Sequence, residues 1–132
     1  MPARYSVSVS SDFERIGGET ALRAIIGDFV ARVFDDVMIG FHFRQANRAR
    51  IEEMEFQHAA EHLGGPHVYE GRPLRAAHAP HRIMGGQFER RLKILTDVLE
   101  KHDVPASIRE RWLAHNRALR GEITAYAGSD CQ

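Results

Sequence analysis

The stretch LGGPHVYEGRPLRAAHAPHRI, from Leu63 to Ile83, decides how the chain is read. Gly64, Gly65 and Pro66 stop the helix before them, because glycine takes the left-handed cap conformation cheaply and proline cannot continue the ladder. Pro73 suits a first helical turn, where its missing N–H is not needed. Pro80 and the pair Gly85-Gly86 keep that next helix short. Between these stops, Leu74, Ala76 and Ala77 present one imidazole, His78, on a mostly apolar surface. That is what an axial haem ligand requires.

Working outward, the chain reads as helices separated by glycine and proline. Asp12 to Ile16 makes one turn that Gly17 and Gly18 end. Leu22, Ile25, Ile26, Phe29, Val30, Val33 and Phe34 recur at helical spacing, which predicts a helix over 20–35 with one buried stripe. MIGFHF, Met38 to Phe43, is short, aromatic and interrupted by Gly40, and predicts a tight corner that turns Phe41 or Phe43 inward. A third helix is expected over 47–63. Phe88, Leu92, Leu95 and Leu99 mark one face of a fourth, which stops near Asp103. Pro105 and a Ser107/Glu110 capping box open the last. Its stripe is Ile108, Trp112, Leu119, Ile123 and Tyr126, with Asn116 as the polar exception. Only Tyr5 to Val9 alternates like a strand, and it is short. The expected class is all-α: a polar arm over 1–11, one helical domain over 12–127 and a tail over 128–132.

Composition narrows the function classes. The 132 residues are 43% hydrophobic and 27% charged, enough for one continuous core without staples. Lys+Arg and Asp+Glu both number 18, so no broad basic field invites nucleic acid. The N-terminus lacks an apolar core of signal-peptide length, and no apolar run is long enough to span a bilayer. Cys131, the only cysteine, excludes an internal disulfide and fits a reducing compartment. A cytoplasmic, small-molecule protein is the expectation.

Three motifs at matching mutual spacing carry a family resemblance: FERIGG (Phe13 to Gly18), LGGP (Leu63 to Pro66) and the segment Tyr69 to Ile83 around His78. Together they resemble the truncated haemoglobins, compact two-over-two globins, across about residues 12–125. The resemblance implies a two-over-two helical sandwich and a b-type haem whose iron is bound on its proximal side by His78. It implies a porphyrin lined by Phe29, Phe34 and Phe43 on one side and by Leu74, Ile83, Phe88 and Leu92 on the other. Phe43 is similar to the aromatic that packs flat on the ring. Arg48, Arg82 and Tyr69 become candidates for the propionates, and His81 a partner at the haem edge. The implied ligands are oxygen, nitric oxide or carbon monoxide.

The distal side departs from the family. Oxygen-holding members use a tyrosine on the second helix and often a glutamine or histidine on the third, where this chain has Val30 and Ile51. Weaker oxygen stabilisation and easier oxidation are the expected result, which favours redox chemistry or sensing over storage. A nitric oxide dioxygenase or peroxidase-like activity, served by an external reductase or peroxide, stays open. Placing Ile51 toward the haem puts Glu55, His58 and His62 on the same face, with Met54 at its edge. His58 or Met54 is then a candidate sixth iron ligand. A different chemistry fits the same helix: His58-Ala-Ala-Glu61-His62 matches the HxxEH pattern in which two histidines one turn apart bind zinc and the glutamate activates water. With His67 nearby, the alternative is a small helical zinc-binding protein or hydrolase.

Overall fold

Ser11 and Glu14 close a reciprocal cap on the first helix: the Glu14 amide donates to Ser11 Oγ at 3.1 Å, and the Ser11 amide donates to Glu14 Oε1 at 3.3 Å. The computed structural model describes residues 10–66 and 85–119. Among them every regular element is helical. Helix α1 (Asp12–Arg15) ends at Gly17, whose φ of 113° is a left-handed conformation. A side chain there would strain the backbone and also press on Ala21.

Helix α2 (Gly18–Asp35) begins two residues earlier than its apolar stripe requires. Leu22, Ile25, Ile26, Phe29, Val30 and Val33 are buried as expected, while Phe34 is half-buried. The chain then turns through a 3-10 helix (Gly40–Phe43). Of the two aromatics offered for this corner, Phe43 turns inward and Phe41 stays 52% exposed. Asp36 staples the corner. Its Oδ2 accepts from the Met38 and Ile39 amides at 2.9 and 3.2 Å, and its Oδ1 accepts from Arg90 Nε and Nη2 at 2.8 and 2.6 Å. The Arg90 guanidinium, helped by the two amides, holds the Asp36 carboxyl below its ordinary range.

Helix α3 (Arg48–His62) is capped by Asn47, whose Oδ1 accepts from the Arg50 amide at 3.1 Å. Helix α4 (Gly85–Lys101) opens with Gly85 and Gly86, and Phe88, Leu92, Leu95 and Leu99 are all buried, joined by Ile94 and Val98. It closes at Asp103, left-handed with φ 57°, where the Val104 amide returns to Leu99 O at 3.0 Å. Helix α5 (Ala106–Ala118) corrects one expectation. Its N-cap is Pro105, with no side-chain cap, so Ser107 lies inside the first turn and the Ser107/Glu110 box does not form. Ile108, Trp112, Leu113 and Asn116 are buried and Leu119 is half-buried. Ile123, Tyr126 and the stretch Tyr5 to Val9 lie outside the described residues.

Helix α2 is the hub of the fold. It packs on α1, on the 3-10 corner, on α3 and on α4, while α4 also packs on α5. One continuous core runs from Phe13 to Leu113. The Phe13 amide donates to Leu63 O at 3.0 Å, tying α1 to the end of α3. No helix among the described residues is long and apolar enough to cross a membrane.

Candidate functional site

Helix α3 is divided by its own sequence. Phe56, Ala59 and Ala60 face the core and are buried. Ile51, Glu55, His58 and His62 follow one another at spacings of three and four, so they form a neighbouring strip, and all are half-buried. Met54 is half-buried at its edge, whereas Glu61 is exposed. The structure thus brings together the α3 residues singled out from sequence. Phe34 and Phe43 also meet, with ring centroids 5.4 Å apart and planes 28° apart. The exposed Arg48 guanidinium lies 5.5 Å from the Phe34 ring centroid. Phe29, Phe88 and Leu92 are buried in the core, at 2%, 0% and 4% exposure. His78, Tyr69, Leu74, His81, Arg82 and Ile83, along with His67, lie outside the described residues.

The strip's partners come from α4 and α5. Arg91 of α4 meets Glu55 in a two-point ion pair, Nη1 to Oε2 and Nη2 to Oε1, both at 3.2 Å. His115 of α5 stacks on His62, centroids 4.0 Å apart and planes 14° apart, and lies 5.5 Å from His58. Its Nε2 is buried and has no hydrogen-bond partner among the described residues. Sequence reasoning missed Arg91 and His115. Arg91 left a signal, a charge three residues after Phe88 and four before Leu95, inside an apolar stripe. Asn116 was marked as the polar exception, and its neighbour His115 was not.

Two of these rings, His62 and His115, resist protonation. Burial, then repulsion from His115, lowers His62 from 6.5 to about 4, and burial followed by repulsion from His58 lowers His115. The folded chain therefore refuses protons that the unfolded chain takes up as pH falls through 6.5. The stability contributed by the neutral stack is complete above that pH and erodes between 6.5 and about 4. For a ring still in contact with water the loss is about 1–2 kcal/mol. Urea midpoints at neutral pH and near pH 5 measure it. His62→Phe, which keeps the stacking and removes the titration, should flatten the slope; an unchanged slope would clear His62 of the effect.

The zinc alternative gains nothing from this geometry. Among the described residues no group of three or more His, Cys, Asp or Glu side chains could hold a metal ion. His62, one of the two histidines of the HxxEH pattern, is stacked against His115.

Comparison with known proteins agrees with the helical order. Residues 11–125 match the family model of bacterial-like globins. A group 1 truncated haemoglobin, GlbN, of Mycolicibacterium paratuberculosis is 32% identical over 120 residues, covering 90% of this chain and 88% of that relative. Among solved structures, the two-over-two haemoglobin of a Synechococcus species, in its cyanomet state with covalently attached haem, superposes with a TM-score of 0.82 at 19% identity, over 88% of this chain and 99% of that one. The Fe(III) truncated haemoglobin of Tetrahymena pyriformis gives 0.79 at 20% identity, over 86% and 97%. The chain belongs to the bacterial-like globin family and has the truncated, two-over-two globin fold.

Proposed function

We propose that this globin binds haem b, with His78 as the proximal iron ligand, and takes up oxygen, nitric oxide or carbon monoxide on the side facing α3. The observation that carries the reading is the α3 strip. It is half-buried, bears imidazole and thioether side chains, and adjoins two buried nitrogens, Arg91 Nε and His115 Nε2, that have no hydrogen-bond partner among the described residues. Family membership supports it, since the relatives named above are haemoglobins.

The residues present fit the group. Imidazole nitrogen and thioether sulfur are both donors that haem iron accepts, and the Phe34–Phe43 pair offers flat aromatic surface. In this reading Phe29, Phe34, Phe43 and Ile51 wall one side of the porphyrin, and Leu74, Ile83, Phe88 and Leu92 the other. Arg48, Arg82, Tyr69 and His81 serve its edge, and His58 or Met54 is a candidate sixth ligand. When bound, haem supplies a redox-active iron with a position for a small ligand. Val30, buried in α2, carries no hydroxyl to donate there. The protein is therefore assigned to redox turnover with an external reductase, or to sensing, ahead of oxygen storage. The setting inferred from its composition is cytoplasmic.

An absorption spectrum of the full chain, ferric and reduced, with and without added haemin, tests this beside His78→Ala. A sharp haem band that shifts on reduction, and is lost or altered in the variant, is the expected result. Extraction of the haem by acidified acetone distinguishes haem b from a covalently attached form. No haem uptake would overturn the reading, and an identical spectrum in His78→Ala would remove His78 from the iron.

A further inference from the structure

Arg91 interrupts the apolar stripe of α4, and its side chain is 15% exposed. A guanidinium so placed is tolerated only with a counter-charge, because desolvating an unpaired ion is costly. Glu55, its side chain 20% exposed, supplies that charge from α3. The guanidinium also lies 4.8 Å from the Phe29 ring centroid and 3.4 Å, through Nη2, from Asn116 Oδ1. Asn116 is itself fixed by donating to Trp112 O at 3.0 Å.

This pair is slack. Both of its bonds measure 3.2 Å, whereas Arg23–Glu53 closes to 2.6 Å and Arg90–Asp36 to 2.6 and 2.8 Å in the same molecule. Charge-assisted contacts normally shorten to about 2.7–2.9 Å. Arg91 Nε, moreover, is buried with no hydrogen-bond partner among the described residues. A pair serving only to join α3 to α4 has no reason to bury a donor that it leaves idle. Glu55 lies one turn after Ile51 and three residues before His58, so the carboxylate and its guanidinium stand on the strip that the proposed haem site uses.

We propose that Arg91 is the ligand-holding donor of this globin. With Glu55 as its counter-ion and competitor, it recognises a small anion or electron-rich diatomic on the α3 side, the task for which Val30 has no hydroxyl. The proposal rests on the haem reading. Glu55 sets the strength of the site: its carboxylate engages the guanidinium when no ligand is present and repels an arriving anion.

The two members of the pair therefore act in opposite directions, and the test uses that. The full chain, loaded with haemin in the ferric state, is titrated with azide and with fluoride, and the reduced form with carbon monoxide. Glu55→Gln is expected to raise azide and fluoride affinity by about tenfold, and Arg91→Met to lower it by about tenfold or more. Carbon monoxide, a weak acceptor, should change far less in either. Urea midpoints of the same proteins without haem report the structural part of the pair. If both substitutions lower those midpoints while azide and fluoride affinity stays unchanged, Arg91 is a helix tie and the proposal is overturned. Should Arg91→Met fail to fold, Glu55→Gln/Arg91→Met removes the stranded carboxylate too and is expected to bind azide as weakly; unimpaired binding overturns the idea. A normal haem band with unaltered anion affinity sinks the Arg91 assignment alone, whereas no haem band in the unsubstituted chain sinks it together with the haem reading.

Discussion

Phe56→Ala is expected to cost the fold about 3–5 kcal/mol, the loss typical of deleting a buried aromatic ring. Phe56 is fully buried at 0% exposure on the face of α3 that meets the core. The Arg23 guanidinium of α2 covers its ring, 3.6 Å from the centroid, and is held there by Glu53 at 2.6 Å and Glu19 at 3.5 Å. The cation over the ring adds about 0.5–1 kcal/mol at such a half-exposed position. Most of the expected loss is the apolar transfer of the ring and the cavity left behind. Its neighbours Ala59 and Ala60 are too small to close that space. The ring also fixes the rotation of α3, and with it the direction in which Glu55, His58 and His62 are presented. Urea unfolding at neutral pH is the check, with Phe56→Leu as the milder companion. A loss below about 1 kcal/mol for the alanine variant would mean that α3 is not seated by this ring.

The helices were legible where apolar residues repeat with the helical period, because burying such a stripe is what makes a helix stable in a small domain. The stripes of α2 and α4 came through residue for residue, apart from Phe34 at the surface end of α2. Helix ends were harder. Ser11 and Glu14 carry the capping-box spacing and form it, while Ser107 and Glu110 carry the same spacing and do not, since Pro105 starts α5 early enough to enclose Ser107. Spacing alone cannot say which residue is the first helical one.

The α3 strip was legible for the same reason as the stripes: three-and-four spacing is a property of one helix. Its partners were not. Glu55 and Arg91 are 36 positions apart, and nothing local in either helix announces the other. The stacking of His115 on His62 likewise depends on how α5 lies against the rest, which periodicity does not specify. Charged or polar residues caught inside an apolar stripe, as Arg91 and Asn116 are, were the one sequence trace of these contacts. The iron ligand assigned from sequence, His78, lies outside the described residues, so its role rests on the motif around it and the spectrum proposed above.

Gly40→Ala should destabilise the fold by about 1–3 kcal/mol, and Gly40→Val by more, as overpacking at an unyielding contact does. A Cβ built on Gly40 would lie 2.5 Å from the Phe34 carbonyl oxygen and 3.3 Å from that of Val33. Both are backbone atoms of the last turn of α2, so no rotamer change relieves the clash. The Gly40 amide donates to Asp36 O at 2.8 Å, which holds the two segments at that distance. Any side chain must lever the 3-10 corner away from α2, and Phe43 then leaves its stack on Phe34. Gly27 supplies the contrast. It lies inside α2, and its added Cβ would meet only Glu52 Oε2 at 3.4 Å, the tip of a flexible side chain. Gly27→Ala should therefore stabilise the chain by about 0.5–1 kcal/mol through helix propensity and lost freedom of the unfolded state. Thermal midpoints of the two single variants should move in opposite directions. If Gly40→Ala instead rises alongside Gly27→Ala, the close approach of the two backbones is not what demands glycine at this corner, and the Phe34–Phe43 wall of the proposed haem site is held some other way.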